Sequence, residues 1–211
     1  MPDDHADIAA PPATTVLLVR HGQSTWNADG RWQGQADPPL SDLGSRQALE
    51  AAARVTKVQP VDAVWASDLE RARVTGATIA EHAGVALTVD ARLRERHAGP
   101  WQGLRRDEIE AQWPDYLSSG RRPEGYETDA NVVARALAAL DNLAAAHPGE
   151  QVVVVTHGGV IRQLEVHFGD HERGLIPNLS GRRLIRAGDS WVLGDAVLLV
   201  GEDTISVPGQ I

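Results

Sequence analysis

TTVLLVRHG, at residues 14–22, and QVVVVTHGG, at residues 151–159, are the two stretches that decide the fold of this chain. Each is a short apolar run, rich in β-branched residues, that ends in a histidine followed by a glycine. Such runs are typical of strands buried on both faces of a parallel sheet. In open α/β sheets, ligands bind outside the carboxyl ends of the strands. We therefore expect His21 and His157 to converge on one spot if their two strands are neighbours.

The rest of the chain alternates between strand and helix patterns. Further strands are predicted at 61–66 and 86–89, and helices from Ser41 through Val55, over 68–83, near 106–113, from Thr128 or Asp129 to Pro148, and over 158–168. The spacing of apolar residues predicts that the helix before Pro148 buries Val133, Ala136, Leu137, Leu140 and Ala144. Residues 183–200 favour antiparallel edge strands, with breaks at Gly188–Asp189 and Gly194–Asp195.

This alternation predicts an α/β fold, a three-layer α/β/α sandwich around a mostly parallel central sheet. The chain of 211 residues is long enough for one domain, which we assign to residues 14–211. Residues 1–13 are acidic and contain three prolines, so they are predicted to form a mobile tail.

Composition excludes several classes of protein. Lys and Arg number 20 and Asp and Glu 29, a net charge of −9, which argues against nucleic-acid and anionic-membrane partners. Cysteine is absent, which excludes disulfides, thiolate metal sites and cysteine nucleophiles. No apolar run approaches the roughly 18–20 residues of a membrane span. No secretory signal is recognisable, so a cytoplasmic location is predicted.

Charged residues follow two further predicted strands. Arg71 and Arg73 fall in the first turn of a helix, where a cation is unfavourable unless an anion binds nearby. Glu95 lies in a loop rich in glycine and proline, between Arg94 and Arg96. The plainer alternatives are a solvated basic helix face and a surface salt bridge. Together with the two histidines, these groups suit phosphoryl transfer without a metal, because arginines bind phosphate oxygens and an imidazole can attack phosphorus.

Four blocks of sequence resemble the histidine phosphatase superfamily, also called the phosphoglycerate mutase-like family, in its phosphatase branch. They are RHGQSTWN with RWQGQADPPLSDLG (20–44), SDLERAR (67–73), LRERHAGPWQG (93–103) and THGGVIR (156–162), in the family's order. The resemblance extends from about Thr14 to about Leu199. It implies the family's sandwich fold, with a small cap segment made partly from the residues after Glu95.

The resemblance also implies roles for individual residues. His21 would be the nucleophile that becomes phosphohistidine, Arg20 and Arg71 would hold the phosphoryl oxygens, His157 would donate a hydrogen bond to them, and Glu95 would be the proton donor and later the base. The remaining substrate contacts are predicted at Asn27, Gln33, Gly34, His97 and the backbone of Gly158. No metal and no cofactor are implied.

The predicted function is a metal-independent phosphomonoesterase that hydrolyses a small phosphorylated metabolite. A phosphoglycerate mutase is the alternative, and an inactive binding scaffold of the same fold is a second one. The physiological substrate stays open among phosphoglycerate, its glucosylated form, sugar phosphates and cofactor precursors, and a homodimer is one assembly that the resemblance allows. Trp26 and Trp32 could line the pocket or belong to the core. Glu127 matches a glutamate of the family, but the glycine and serine around it are replaced.

Overall fold

A computed structural model describes residues 13–172 and 174–206, so residues 1–12 of the predicted tail lie outside the described residues. Its centre is a six-stranded sheet in the order β3-β2-β4-β1-β5-β6. The strands are β1 (Thr15–Arg20), β2 (Ala63–Ala66), β3 (Leu87–Val89), β4 (Gln151–Thr156), β5 (Ser180–Ala187) and β6 (Ser190–Leu198). The first four strands in this order pair in parallel, whereas β5 and β6 form an antiparallel hairpin at one edge. The predicted three-layer sandwich is confirmed.

Helices cover both faces of the sheet. They are α1 (Thr25–Ala28), α2 (Asp42–Val58), α3 (Glu70–Ala83), α4 (Arg106–Gln112), α5 (Tyr116–Ser119), α6 (Asp129–Ala146) and α7 (Gly158–His167). Successive residues of a strand point to opposite faces. Leu17 and Val19 of β1 therefore pack with α2 and α3, while Val16 and Leu18 pack with α6 and α7. This double burial explains why β1 and β4 are almost entirely apolar in sequence.

Side-chain caps fix where the helices begin. The Ser41 hydroxyl accepts a hydrogen bond from the Gly44 N–H at 3.0 Å, and Thr128 caps α6 in the same way. Gly84 ends α3 in the left-handed conformation, with φ of 69°. His157 occupies the cap position of α7 but makes no side-chain cap hydrogen bond. Its imidazole is therefore left for another use.

Two local predictions are wrong. The break at Gly194–Asp195 does not occur, because β6 continues through these residues. The pairing shifts there, with Arg182 opposite Ala196 and Leu184 opposite Leu193, so two residues of β6 face the single Arg183. A β-bulge thus absorbs the glycine that resembled a turn signal.

The buried stripe of α6 also differs from the prediction. Val132, Ala136, Ala139, Leu140 and Leu143 are its buried residues. Val133, Leu137 and Ala144, which were predicted to be buried, are only partly buried. The helix is so rich in alanine that two neighbouring stripes are almost equally apolar. Its packing against α7 and the turn at Ala91–Leu93 selects between them.

A third apolar cluster lies away from the sheet. We call the segment from Ala98 to Tyr126 the cap, and it contains α4 and α5. An antiparallel bridge between Ala98 and Tyr126 ties the two ends of the cap together. Trp101 and Ile109 are fully buried in this cluster, with Trp32 packed against them. The cap segment implied by the resemblance is therefore present. Within the described ranges, no helix has the length and apolarity needed to cross a membrane.

Candidate active site

The two histidines meet where β1 and β4 end. The strands are parallel neighbours, and Arg20 lies opposite Thr156, so His21 and His157 leave the sheet side by side. Their ring centroids are 5.1 Å apart with an interplanar angle of 61°. Both side chains are buried. The convergence expected from the sequence is confirmed, because central parallel strands place their carboxyl ends at one edge.

His21 is held in one tautomer by its own backbone neighbour. Nδ1 lies 2.6 Å from the Gly22 carbonyl oxygen, which can only accept, so Nδ1 carries the proton. Nε2 keeps its lone pair and accepts a hydrogen bond from Arg71 Nε at 3.3 Å. Burial, together with the nearby cations Arg71 and Arg20, holds the pKa of His21 well below its ordinary value. The ring is therefore a neutral base with one unprotonated nitrogen.

Two arginines are buried beside this ring. Arg71 donates to the carbonyl oxygens of Ala36 and Gly34 at 2.8 and 2.9 Å, and Arg20 donates to that of Ile176 at 2.6 Å. Burial lowers the pKa of each arginine to about 10, so both remain cations at neutral pH. Buried cations are costly unless an anion compensates them. The site is therefore electrostatically prepared for a dianion. Arg73, by contrast, lies exposed on α3.

His157 is fully buried and has unused polar atoms. In the described part of the chain, neither of its ring nitrogens has a hydrogen-bond partner. Burial and the neighbouring cations, Arg71 above all, hold the pKa of His157 well below its ordinary value. A buried polar group without a partner is rare in proteins and marks a place where a ligand is needed. The imidazole is thus available to donate to a group bound against His21.

Glu95 reaches the same place from the loop after β3. Its Oε2 accepts from the Gly159 N–H at 3.0 Å, and its Oε1 accepts from the Arg96 N–H at 2.8 Å. A Cβ on Gly159 would lie 2.3 Å from Oε1, and one on Gly158 would lie 3.2 Å from Arg20 Nη1. The glycine pair that follows His157 therefore lets both side chains approach the start of α7. The positive end of the helix dipole lies there too.

A cavity of about 370 Å³ adjoins these groups. Arg20, Glu95, Gly158 and Gly159 line its inner part, while Trp32 and Tyr126 contribute aromatic walls. Four more cations border it, namely Arg96, Arg106, Arg122 and Arg162. The sequence analysis did not assign these four arginines to the site. The arginine pairs at 105–106 and 121–122 were visible, but nothing local to them indicated that the cap folds over the strand ends.

The weaker predictions fall into two groups. Gln33 and Gly34 line the cavity, as does Trp32. Asn27 is buried but its Oδ1 accepts from the Ser24 N–H at 3.1 Å in the cap of α1. Asn27, Trp26 and His97 are not among the described residues that line the cavity. The His97 side chain is exposed. The direct contacts expected from Asn27 and His97 therefore stay predictions.

Within residues 13–172 and 174–206, no group of three or more acidic or histidine side chains is arranged to hold a metal ion. Asp170, whose spacing with His167 and His171 resembles that of metal ligands, instead forms an ion pair with Arg182. Positive charge at the strand ends comes from Arg20 and Arg71.

The family model of the histidine phosphatase superfamily, branch 1, matches residues 16–192. The chain belongs to this superfamily, which agrees with a histidine pair and an arginine pair gathered at the ends of two parallel strands.

Two sequence relatives and one solved structure indicate which activity within the superfamily this chain has. A metal-independent phosphoserine phosphatase of Arabidopsis thaliana is 40% identical over 189 residues, which cover 85% of this chain and 79% of that protein. A glucosyl-3-phosphoglycerate phosphatase of Mycobacterium tuberculosis is 39% identical over 165 residues, covering 72% and 74%. A solved mycobacterial glucosyl-3-phosphoglycerate phosphatase in complex with VO3 superposes with a TM-score of 0.74 at 33% identity, covering 86% of this chain and 97% of that one. The chain is a phosphatase.

Proposed function

We propose that this phosphatase hydrolyses phosphate monoesters of small metabolites through a phosphohistidine at His21, without a metal ion. The observation that carries the proposal is the His21 ring, which is neutral and keeps its lone pair on Nε2 between two buried arginines. A nucleophile for phosphorus needs that lone pair, and the phosphoryl dianion needs the two cations.

In the first step, His21 Nε2 attacks phosphorus while the bond from phosphorus to the ester oxygen breaks. Glu95 gives its proton to the departing oxygen, so the alcohol leaves neutral. The negative charge on the three phosphoryl oxygens is stabilised by Arg20, Arg71 and a hydrogen bond from His157. When the substrate binds, the Arg71 Nε–H changes its hydrogen-bond acceptor from His21 Nε2 to a phosphoryl oxygen. The lone pair on His21 Nε2 is then free to attack.

In the second step, water attacks the phosphorus of phosphohistidine and the bond to Nε2 breaks. The Glu95 carboxylate, left ionised by the first step, takes the proton of that water. The products are inorganic phosphate and a regenerated neutral imidazole. One glutamate thus acts as acid and then as base, and the proton balance closes after each turnover.

We infer further that the substrate carries a carboxylate besides its phosphate. Arg106, Arg122 and Arg162 border the outer cavity, and no carboxylate of the described residues pairs with Arg122. The Arg122 guanidinium lies over the rings of Trp101 and Tyr126, at 5.5 and 5.3 Å, which fixes its plane. The names of the two sequence relatives, a phosphoserine phosphatase and a glucosyl-3-phosphoglycerate phosphatase, both denote phosphate esters that bear a carboxylate.

A phosphoglycerate mutase stays the alternative within the family. The cap here is short, since only 32 residues separate Glu95 from Thr128. A more open site admits water to phosphohistidine, and water then competes with a bound monophosphate acceptor. Phosphorus NMR of 3-phosphoglycerate turnover, primed with a trace of 2,3-bisphosphoglycerate, separates the two. Free phosphate is the expected product, and 2-phosphoglycerate forming faster would establish the mutase. A homodimer and a cytoplasmic location stay predictions, and light scattering of the purified chain measures the first.

The proposal is tested by trapping the intermediate. Rapid quench with labelled substrate is expected to give acid-labile, base-stable label on the protein, and His21→Ala is expected to abolish both label and hydrolysis. The matched control is His82→Ala, an exposed histidine on α3, which should behave like the parent. Activity should also persist in excess chelator. An active His21→Ala variant, or activity lost to chelator and restored by one divalent ion, would refute the proposal.

A further inference from the structure

Arg135 on α6 binds the loop that carries Glu95 with one part of its guanidinium group and the Glu127 carboxylate with the other. Nη1 donates to the backbone carbonyl oxygen of Arg92 at 2.7 Å and to that of Arg94. Nη2 donates to the carbonyl oxygen of Glu95 itself at 3.1 Å. Nε and the second N–H of Nη2 bind the two carboxylate oxygens of Glu127, at 2.8 and 3.0 Å. All five N–H groups of the side chain thus have acceptors.

Glu127 binds the same loop on the C-terminal side of Glu95, at His97. Its Oε2 accepts from the His97 N–H at 3.1 Å. Only 18% of the Arg135 side chain and 15% of the Glu127 side chain are exposed. Burial alone would raise the pKa of Glu127, but the hydrogen bonds from Arg135 and His97 outweigh it and lower the pKa. The pair is therefore ionised and well shielded from solvent screening.

The loop needs such a clamp because it has no regular structure of its own. It extends from the single turn at Ala91–Leu93 to the start of the cap at Ala98. Its other supports include a hydrogen bond from Gln35 Nε2 to the Glu95 carbonyl at 3.0 Å, one from Thr156 Oγ1 to the Leu93 carbonyl at 2.8 Å, and the ion pair between Arg94 and Asp68. Neither Arg135 nor Glu127 is among the described residues that line the cavity. Their hydrogen bonds run to the loop on both sides of Glu95, so we expect their effect on proton donation to pass through Glu95, although the Arg135 charge also lowers the pKa of His157, after burial, Arg71, His21 and Arg20.

We infer that Arg135, fixed by Glu127, is a positioning residue that places the Glu95 carboxylate at the ester oxygen of the substrate. The inference rests on the proposed function, in which Glu95 is the proton donor. A planar guanidinium can hold three carbonyl oxygens and one carboxylate at once, whereas the compact ammonium of lysine cannot reach them all. Misplacement by about 1 Å of a group that must meet a reacting atom can cost about 10²-fold in rate.

The experiment compares two substrates whose leaving groups differ in their need for a proton. An aryl phosphate such as 4-nitrophenyl phosphate departs as a stable anion, whereas an alkyl phosphate such as phosphoserine needs the proton. Arg135→Lys is expected to lower kcat/KM for the alkyl phosphate by about 10²-fold and kcat/KM for the aryl phosphate several-fold at most. This ratio reports the transfer to His21 and leaves out the later attack of water, which is common to both substrates. Glu127→Gln keeps Arg135 in place but loosens it, so a smaller loss with the same leaving-group dependence is expected.

Two controls make the result specific. Arg92→Lys changes an arginine of the same loop whose side chain is 41% exposed and pairs with Asp90, so kcat should be unchanged for both substrates. In a Glu95→Gln background, Arg135→Lys should add little further loss for the alkyl phosphate, because the group it positions can no longer give a proton. If Arg135→Lys does not fold, Glu127→Gln carries the comparison.

The outcomes separate the inference from the proposal beneath it. Equal losses of kcat/KM for both substrates, or no loss, would make Arg135 a merely structural residue and overturn the inference. Additive losses in the double variant would do the same. If Glu95→Gln itself shows no dependence on the leaving group, Glu95 is not the proton donor, and the inference falls with that part of the proposed function.

Discussion

The active site has two sides that are built differently. On the sheet side, Arg71 is fully buried and two of its nitrogens donate to backbone carbonyl oxygens. On the cap side, Arg106 is more than half exposed, and its one ion pair within the described residues is with Glu110, one helical turn away. A group fixed by main-chain contacts keeps its position when surface residues change, whereas an exposed side chain is readily replaced. Under the proposed function, reaction chemistry therefore belongs to the sheet side and substrate selection to the cap side.

The apolar clusters divide along the same line. Two large clusters of aliphatic residues cover the two faces of the sheet, whereas the cap has a small, largely aromatic cluster around Trp101. The cap joins the rest of the chain through the bridge between Arg31 and Arg105 and through the Trp32 N–H, which donates to the Leu104 carbonyl at 2.8 Å. A unit with its own small core can change its outer face while the strand ends stay in place.

The largest effect should come from the sheet side. Arg71→Met removes a buried cation from the phosphoryl group, so we expect kcat/KM to fall by about 10²–10³-fold for every phosphate ester, whatever its leaving group. Arg73→Met, two residues along the same helix but exposed, is the matched control and should leave kcat/KM unchanged. Steady-state kinetics on an aryl and an alkyl phosphate decide the matter. A loss confined to one substrate class would break the division between the two sides.

An intermediate effect should come from the cap. Arg122→Gln keeps a polar side chain, although a shorter one, and removes the charge, so we expect KM for phosphoserine or 3-phosphoglycerate to rise about tenfold, or about 1.4 kcal/mol. 4-Nitrophenyl phosphate has no carboxylate, so its KM should not change. Arg121→Gln, the adjacent exposed residue, serves as control. An equal rise in KM for both substrates would show that Arg122 supports the cap rather than recognising a carboxylate.

A third effect concerns stability on the sheet side. The pKa values of His21 and His157 lie well below 6.5 in the folded chain, so on acidification the unfolded state takes up protons that the folded state refuses. The free energy of unfolding is therefore highest above about pH 6.5. Below that pH it falls, by up to about 1.4 kcal/mol per pH unit for each histidine.

Urea unfolding at several pH values measures this slope. His157→Gln removes one contributor and should give a shallower fall than the parent, while the exposed His82→Gln should not. A steeper or unchanged slope in His157→Gln would contradict a buried, neutral His157.

More of the sheet side of the site than of the cap side could be predicted from the sequence. Strand ends are readable because apolar runs such as Val152–Val155 stop at a polar residue, and topology then brings His21 and His157 together. Arg71 could be placed because its helix follows a strand directly. The arginines of the cap could not, because the path of a segment rich in glycine and proline depends on tertiary packing. Arg135 lies on α6, whose buried residues were themselves predicted wrongly. Its contact with the Glu95 loop therefore could not be predicted from the sequence.

The desolvated pair Arg20 and Arg71 also has a consequence for how fast the enzyme can run in a cell. Under the proposed function the pair binds phosphoryl oxygens and not the group esterified to them, so inorganic phosphate released by one turnover would bind at the same place as the next substrate. The product therefore competes with the substrate for free enzyme. As phosphate accumulates, a growing share of the enzyme is occupied by it, and the rate of hydrolysis becomes coupled to the phosphate status of its surroundings.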